Sequence, residues 1–385
     1  MHVHSLAIPL LLLISALVHA DFVLFESNEY QTGILGSAPS QNYYSSDSTP
    51  AAWNFIVPYS TERSTSNITP GYLFVAPRST VSAQHGAVIY AQDGTMIWDG
   101  KEYGEAMAFK VVTWMGEPHI CLWQGEFFGL GLGSGHTILL NQKYEVVANY
   151  TTALEGETGL TYADFHETDI TVNNTALLAA YQLRTMDLTA YGGSSSGWIY
   201  DSVVQELNVT SGQAIWTWKA GDHIDPGECT DFYAWGTYNQ TGDVHDTAWD
   251  YFHINSIEKD NSGNYLISSR HCSTIYYLDG SDGHVIWRLG GRETSFSMGE
   301  GTQFAYQHDS RWLVRNETLG RISLFNNAGL MAGVYSEDSA RGMVLELDFE
   351  AMSATLVQDY FPLALAVSET QGSVQVQPNG DVLIG

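Results

Sequence analysis

The chain has 385 residues, and its 15 lysines and arginines stand against 43 aspartates and glutamates, for a formal charge of −28. So few cations cannot neutralise a phosphate backbone or an anionic bilayer over a wide surface, which excludes nucleic acid and charged membrane as partners. With 44% hydrophobic and only 15% charged residues, the chain has ample apolar material for a packed core, and disorder is excluded as well.

Residues 1–20 carry an apolar run from Leu6 to Val18 that ends in Val18-His19-Ala20. The run is shorter than the roughly 20 apolar residues that span a bilayer, and a small residue closes it, so it reads as a cleaved secretory signal. No later stretch is apolar enough to span, so a secreted, extracellular protein without membrane attachment is expected. Asn-x-Ser/Thr triplets at Asn67, Asn149, Asn173, Asn208, Asn239 and Asn316 fall in polar, turn-like settings and are expected to carry N-linked glycans. Cys121, Cys229 and Cys272 allow one internal bridge at most, with the pairing open, and their spacing matches no zinc pattern.

Residues 21–65 read as an N-terminal segment leading into a domain over 66–385. From Tyr72 onward the chain shows short β-branched and aromatic runs separated by Gly, Asn and Asp, with almost no helical period. One unit recurs. Val88-Ile89-Tyr90 passes through Asp93-Gly94 to Met96-Ile97-Trp98; Gln205 to Val209 passes through Ser211-Gly212 to Ala214-Ile215-Trp216; Tyr276 to Gly280 leads to His284 through Gly291. A second unit precedes it. His166 to Val172 leads through Asn173-Asn174 to Ala176–Gln182, His253 to Ile257 through Gly263-Asn264 to Tyr265–Arg270, and His308 to Val314 through Asn316 to Arg321–Asn326. A fourth copy, Ser373 to Ile384, lacks the histidine. Two alternating hairpin types repeated along a chain predict an all-β fold, a β-propeller.

Residues at one repeat phase converge on a propeller axis. His166, His253 and His308 are therefore expected to meet, with Gln182, Arg270 and Asn326 or Asn327 at neighbouring depths. Packing alone would favour apolar residues at these positions. Neighbours on a strand face opposite ways, so His271 and Asp309 are expected to point to the other face, in supporting or purely structural places behind the site. Asp250 and Asn255 are expected to hold His253 in one tautomer. Trp249, Tyr251, Phe252 and Trp312 suit either stacking on an aryl substrate or packing between blades, the latter being favoured.

The strings Asp164-Phe165-His166-Glu167, Asp250 to Ile257, Asn264 to His271, Ile286 to Gly291, Gln307 to Arg311 and Ile322 to Ala328 resemble, in order and spacing, the fungal secreted branch of the arylsulfotransferase family. The resemblance runs from about Gly71 to the last residue. It implies a six-bladed propeller that moves a sulfuryl group from an aryl sulfate to a phenol through a transiently sulfated histidine, with no nucleotide sulfate donor, no cofactor and no metal. By motif, His308 resembles the nucleophile, with His253, Arg270 and His166 as its supporting catalytic set; Asn255, Asn326, Asn327 and Gln182 are candidate substrate contacts. Members of this branch continue past Gly385, so the last blade is expected to be incomplete, through truncation or with the N-terminal segment completing the ring. Two other readings compete. Leu278 through Trp287 resembles the Asp, Gly, Trp spacing of quinoprotein-like dehydrogenases, though no adjacent cysteine pair accompanies it, and a non-catalytic binding propeller would share the fold.

Overall fold

The computed structural model describes residues 24–43, 46–55, 69–154, 158–229, 240–330, 334–362 and 365–385. The segment expected to be a secretory signal and the triplets at Asn67 and Asn239 lie outside these residues. The chain divides into two compact units, one of residues 1–65 with 70–104 and the other of residues 66–69 with 105–385.

In the first unit, Tyr72–Val75, Val88–Ala91 and Met96–Asp99 form a three-stranded antiparallel sheet. The turn at Asp93-Gly94 places Gly94 at φ 84°, a left-handed conformation that glycine adopts at no steric cost.

The second unit holds four blade-type antiparallel sheets in chain order. The first comprises Ala106–Trp114, Glu117–Phe128, Leu132–Leu140 and Val146–Tyr150. The second comprises Thr168–Ile170, Thr175–Met186, Gly197–Asn208 and Ala214–Lys219. In the third, Ile254–Lys259, Tyr265–Ser269, Thr274–Leu278 and Val285–Gly290 pair in sequence. In the fourth, His308–Arg315, Leu319–Asn326, Arg341–Asp348 and Ser353–Tyr360 do the same. A two-stranded sheet, Val374–Val376 with Val382–Ile384, follows. The all-β propeller expectation is met, and both hairpin types form strands where the repeats place them. Among the described residues no helix is long and apolar enough to cross a membrane.

Apolar side chains from facing sheets fill the space between them. Trp123, Phe165 and Leu178 belong to the cluster between the first and second sheets; Tyr181, Trp249, Phe252 and Ile267 to that between the second and third; Trp287, Ile322 and Leu345 to that between the third and fourth. Trp249, Tyr251 and Phe252 are buried here, and Trp312 meets Trp287 at 6.0 Å between ring centroids. All four aromatics therefore pack between sheets.

At the inner strands the sheets are joined by charge. Glu167, 1% exposed, receives Nη2 of Arg311 at 2.5 Å, Nζ of Lys110 at 3.2 Å and the Ile257 N–H at 3.1 Å. Arg311 also donates to the Ile257 carbonyl at 2.9 Å and to Asp309 at 2.8 Å. Asp309 in turn accepts the Val374 N–H at 3.1 Å. One carboxylate thus touches three other sheets. The Arg311 and Lys110 cations hold Glu167 down to about 2, against burial that acts the other way.

Cys229 and Cys272 form a disulfide across a separation of 43 residues, and Cys121 is free and buried. Closing a loop of that length is worth about 4 kcal/mol in the chain-entropy account. A Cys229→Ala, Cys272→Ala double variant is expected to lose unfolding free energy of that order in a urea titration, and an unchanged midpoint and slope would contradict it.

Candidate active site

The three histidines come together because each stands at the start of an inner strand. The His166 ring lies 4.9 Å from that of His253, at 82° between planes, and 6.3 Å from that of His308, at 29°. Repeat phase is therefore a correct guide to their convergence. All three are largely or wholly buried: His308 is 6% and His253 3% exposed.

An acceptor fixes each ring. Asp164 Oδ1 receives both the backbone N–H of His166, at 2.8 Å, and its Nδ1, at 2.5 Å; its Oδ2 accepts the Gly133 N–H at 2.6 Å. Asp250 does the same for His253, Oδ1 taking the backbone N–H at 3.2 Å and Oδ2 meeting Nδ1 at 2.5 Å. This closed loop sets His253 at φ 50°, a left-handed conformation that histidine visits more readily than most residues. His308 Nδ1 lies 2.7 Å from Asn327 Oδ1, and Asn327 Nδ2 donates to the Gln371 carbonyl at 2.7 Å.

That last bond settles a tautomer. A carbonyl oxygen can only accept, so Asn327 presents its NH₂ to Gln371 and its oxygen to His308. Neutral His308 must then carry its proton on Nδ1, which leaves a lone pair on Nε2. The same logic applied to the Asp250 carboxylate leaves Nε2 of neutral His253 bare.

Arg270 joins the histidines through its backbone, whose N–H donates to the His253 carbonyl at 2.9 Å. Its guanidinium donates from Nη2 to the Glu369 carbonyl at 2.7 Å and lies 5.5 Å over the Tyr306 ring. It is 4% exposed, and its charge works with burial on the neighbouring rings. Burial first, then Arg270 and His166, push His308 well below the ordinary imidazole value; burial, His166 and Arg270 do the same to His253. Both rings are therefore neutral near pH 7, as nucleophiles and bases must be.

Other site residues fall less simply. Asn255 donates to the Gln307 carbonyl at 2.6 Å, so it braces the backbone just before His308 rather than the His253 ring. Asn326 accepts the N–H groups of Ala305 and Ala328 and donates to Glu337 at 3.1 Å; it shapes a loop, and its neighbour Asn327 is the residue that meets a histidine. Gln182 is buried, and it is Tyr181 beside it whose ring lies 5.9 Å from His253 and whose hydroxyl donates to the Ile254 carbonyl at 2.7 Å.

His271 holds a supporting place, but not by facing the other way. The strand ends at Ser269, and residues 270–273 form a turn, so strand alternation no longer sends adjacent side chains apart. The His271 ring lies 4.5 Å from His253, with Nδ1 2.5 Å from the Asp250 carbonyl. Burial, with His253 next, lowers it to about 3. Asp309 does turn away, into the Glu167 and Arg311 cluster.

The family model "Arylsulfotransferase (ASST)" matches residues 110–385, a span that includes every one of these side chains. The chain belongs to the arylsulfotransferase family. No curated protein matches it. Among solved structures, a protein of unknown function from Bacteroides caccae is similar at 12% identity and TM-score 0.44, with 82% of each chain covered. The GH43 protein BlXynB from Bacillus licheniformis is similar at 12% identity and TM-score 0.35, over 72% of this chain and 48% of the other. Prolyl oligopeptidase B from Galerina marginata gives 11% identity and TM-score 0.30, over 81% and 36%.

Proposed function

We propose that this arylsulfotransferase-family chain is a secreted enzyme that transfers a sulfuryl group from an aryl sulfate to a phenolic acceptor, through sulfation of His308. The observation that carries the reading is the packing of three carboxylate- or amide-oriented imidazoles, two of which feel the charge of one buried guanidinium. A desolvated arginine favours an anion, and its planar fork of donors suits sulfate oxygens.

In the first half-reaction the Nε2 lone pair of His308 attacks sulfur, the bond from sulfur to the aryl oxygen breaks, and that oxygen leaves with the bonding pair. Arg270 stabilises charge on the equatorial oxygens. A proton from His166 then neutralises the phenolate, and the proton that His253 later takes from the acceptor returns to His166, whose ring lies 4.9 Å away. In the second half-reaction the acceptor phenol gives its proton to the bare Nε2 of His253 as its oxygen attacks the sulfur of sulfated His308, which regenerates the imidazole. Asp164 and Asp250 keep the two supporting rings aimed throughout, and Asn327 holds the proton on Nδ1 of His308.

Full-length protein given p-nitrophenyl sulfate and a second phenol is expected to release nitrophenol and to form the new aryl sulfate in equal amounts. Folded protein that gives no release, or nitrophenol with only inorganic sulfate, would refute the transferase reading. Secretion is supported by the apolar N-terminal run and by exposed triplet asparagines at Asn149, Asn173, Asn208 and Asn316.

A further inference from the structure

Sulfuryl transfer uses the Nε2 side of His253 and leaves its Nδ1 side to a second arrangement. Asp250, His253 and His271 each offer one ligand atom, and these atoms all lie within 4.8 Å of one another. Asp250 Oδ2 is 2.5 Å from His253 Nδ1 and 3.9 Å from His271 Nδ1, and the Asp250 backbone oxygen is 2.5 Å from His271 Nδ1. The two rings lie 4.5 Å apart and only 31° from parallel, so both Nδ1 edges face the same aspartate. The result is two imidazole nitrogens and two oxygens around one point, inside the protein.

That set discriminates among metals. Calcium and magnesium take all-oxygen shells, whereas zinc accepts nitrogen and oxygen at about 2.0–2.2 Å in tetrahedral geometry. Tetrahedral ligands at such distances stand about 3.4 Å apart, so both 2.5 Å pairs must open and the 3.9 Å pair close, each by less than an ångström. The His271 side chain sits on the turn that the Cys229–Cys272 disulfide anchors, which keeps the donors in place without metal.

We propose that Asp250, His253 and His271 form a zinc-binding site, with the Asp250 carbonyl as the fourth donor, whose occupancy inhibits sulfuryl transfer. The inhibitory part rests on the function proposed above. Zinc on Nδ1 of His253 displaces that proton, and the neutral ring then keeps its one proton on Nε2. The nitrogen that would take the acceptor's proton no longer has a lone pair. Nothing is oxidised or reduced, and the change reverses when zinc leaves.

The test titrates zinc chloride into chelator-treated, desalted full-length protein, with a chromogenic zinc indicator as competitor. One zinc per chain is expected, weakened by about 100-fold in His271→Ala. Asp282→Asn serves as a control, because Asp279, Asp282 and His284 form a separate, exposed cluster that an indicator would also detect; this variant should keep the tight site. Where His271→Ala does not fold, His271→Gln removes the imidazole while keeping a donor to the Asp250 carbonyl. Zinc is expected to slow nitrophenol release by the unaltered protein and by Asp282→Asn, and to leave the rate of the His271 variant unchanged. Binding weaker than about 10 μM, or tight binding that the His271 variants retain, would overturn the site. Tight, His271-dependent binding without inhibition would overturn the inhibitory part alone, and because binding is read directly, a protein without transferase activity still tests the site.

Discussion

Replacing His308 with alanine is expected to lower nitrophenol release by about 10⁴-fold or more, because no other group at the site combines a free Nε2 lone pair with an amide-fixed tautomer. Loss of His253 removes a proton carrier rather than the bond-forming atom, and should cost about 10²–10⁴-fold. The ordering is the diagnostic. A His308→Ala enzyme that outperforms His253→Ala would assign the nucleophile wrongly. The pH profile supplies an independent check. Burial and the Arg270 charge hold His308 well below 6.5, so its reactive neutral form persists as pH falls, and the acid limb of kcat/KM should lie below pH 6.5. Half-loss of activity at or above that value would mean that the essential imidazole is not the one described. Stability has the opposite cost. The unfolded chain binds protons at its histidines near pH 6.5 while folded His253 and His308 do not, so the stabilisation these buried rings contribute is present above that pH and declines as pH falls below it.

Substituting Glu167 by alanine is expected to destabilise the fold by about 3 kcal/mol, since it removes the carboxylate that half-buried Arg311 and Lys110 share, leaving them with Asp309 and Asp169 respectively, and leaves the Ile257 N–H unpaired. Urea unfolding measures this directly. The carboxylate is held at about 2 against an ordinary 4.5. Its contribution is thus complete above pH 4.5 and disappears as pH falls toward 2, an acid sensitivity worth about 3 kcal/mol by linkage. Glu167→Gln should lack that sensitivity over the same window. An acid-unfolding curve identical to that of the unaltered protein would show that the joint between sheets lies elsewhere.

Much of this architecture is readable from the residues alone, and the reason is repetition. Each histidine-led unit combines a strand, a turn of Asn or Gly, and a second strand, and phase within the unit carries over to position around the axis; His166, His253 and His308 therefore meet as expected. What phase cannot supply is the conformation of the chain between strands. His271 was expected to point away by strand alternation, but the strand stops at Ser269 and the following turn brings it back. Asp164 precedes its histidine by two residues and Asp250 by three, so no common spacing marks them, although both orient a ring. Asn326 and Asn327 are chemically identical neighbours; only the loops carrying Ala305 and Gln371 determine which one meets His308. The disulfide pairing needed the fold, since Cys121, Cys229 and Cys272 are equivalent in sequence.

Strand polarity gives the second and fourth sheets two dissimilar ends. In the fourth sheet the histidine opens the strand His308–Arg315 and Asn316 follows its end, so about 25 Å of extended chain separates them. Asn173 and Asn208 likewise stand at the far turns of the second sheet, where Thr175 pairs with Asn208. Sugars built on these three asparagines would stand at the end of the sheets away from the histidines, so a lectin surface that captured the protein by these glycans would leave its reactive groups pointing outward.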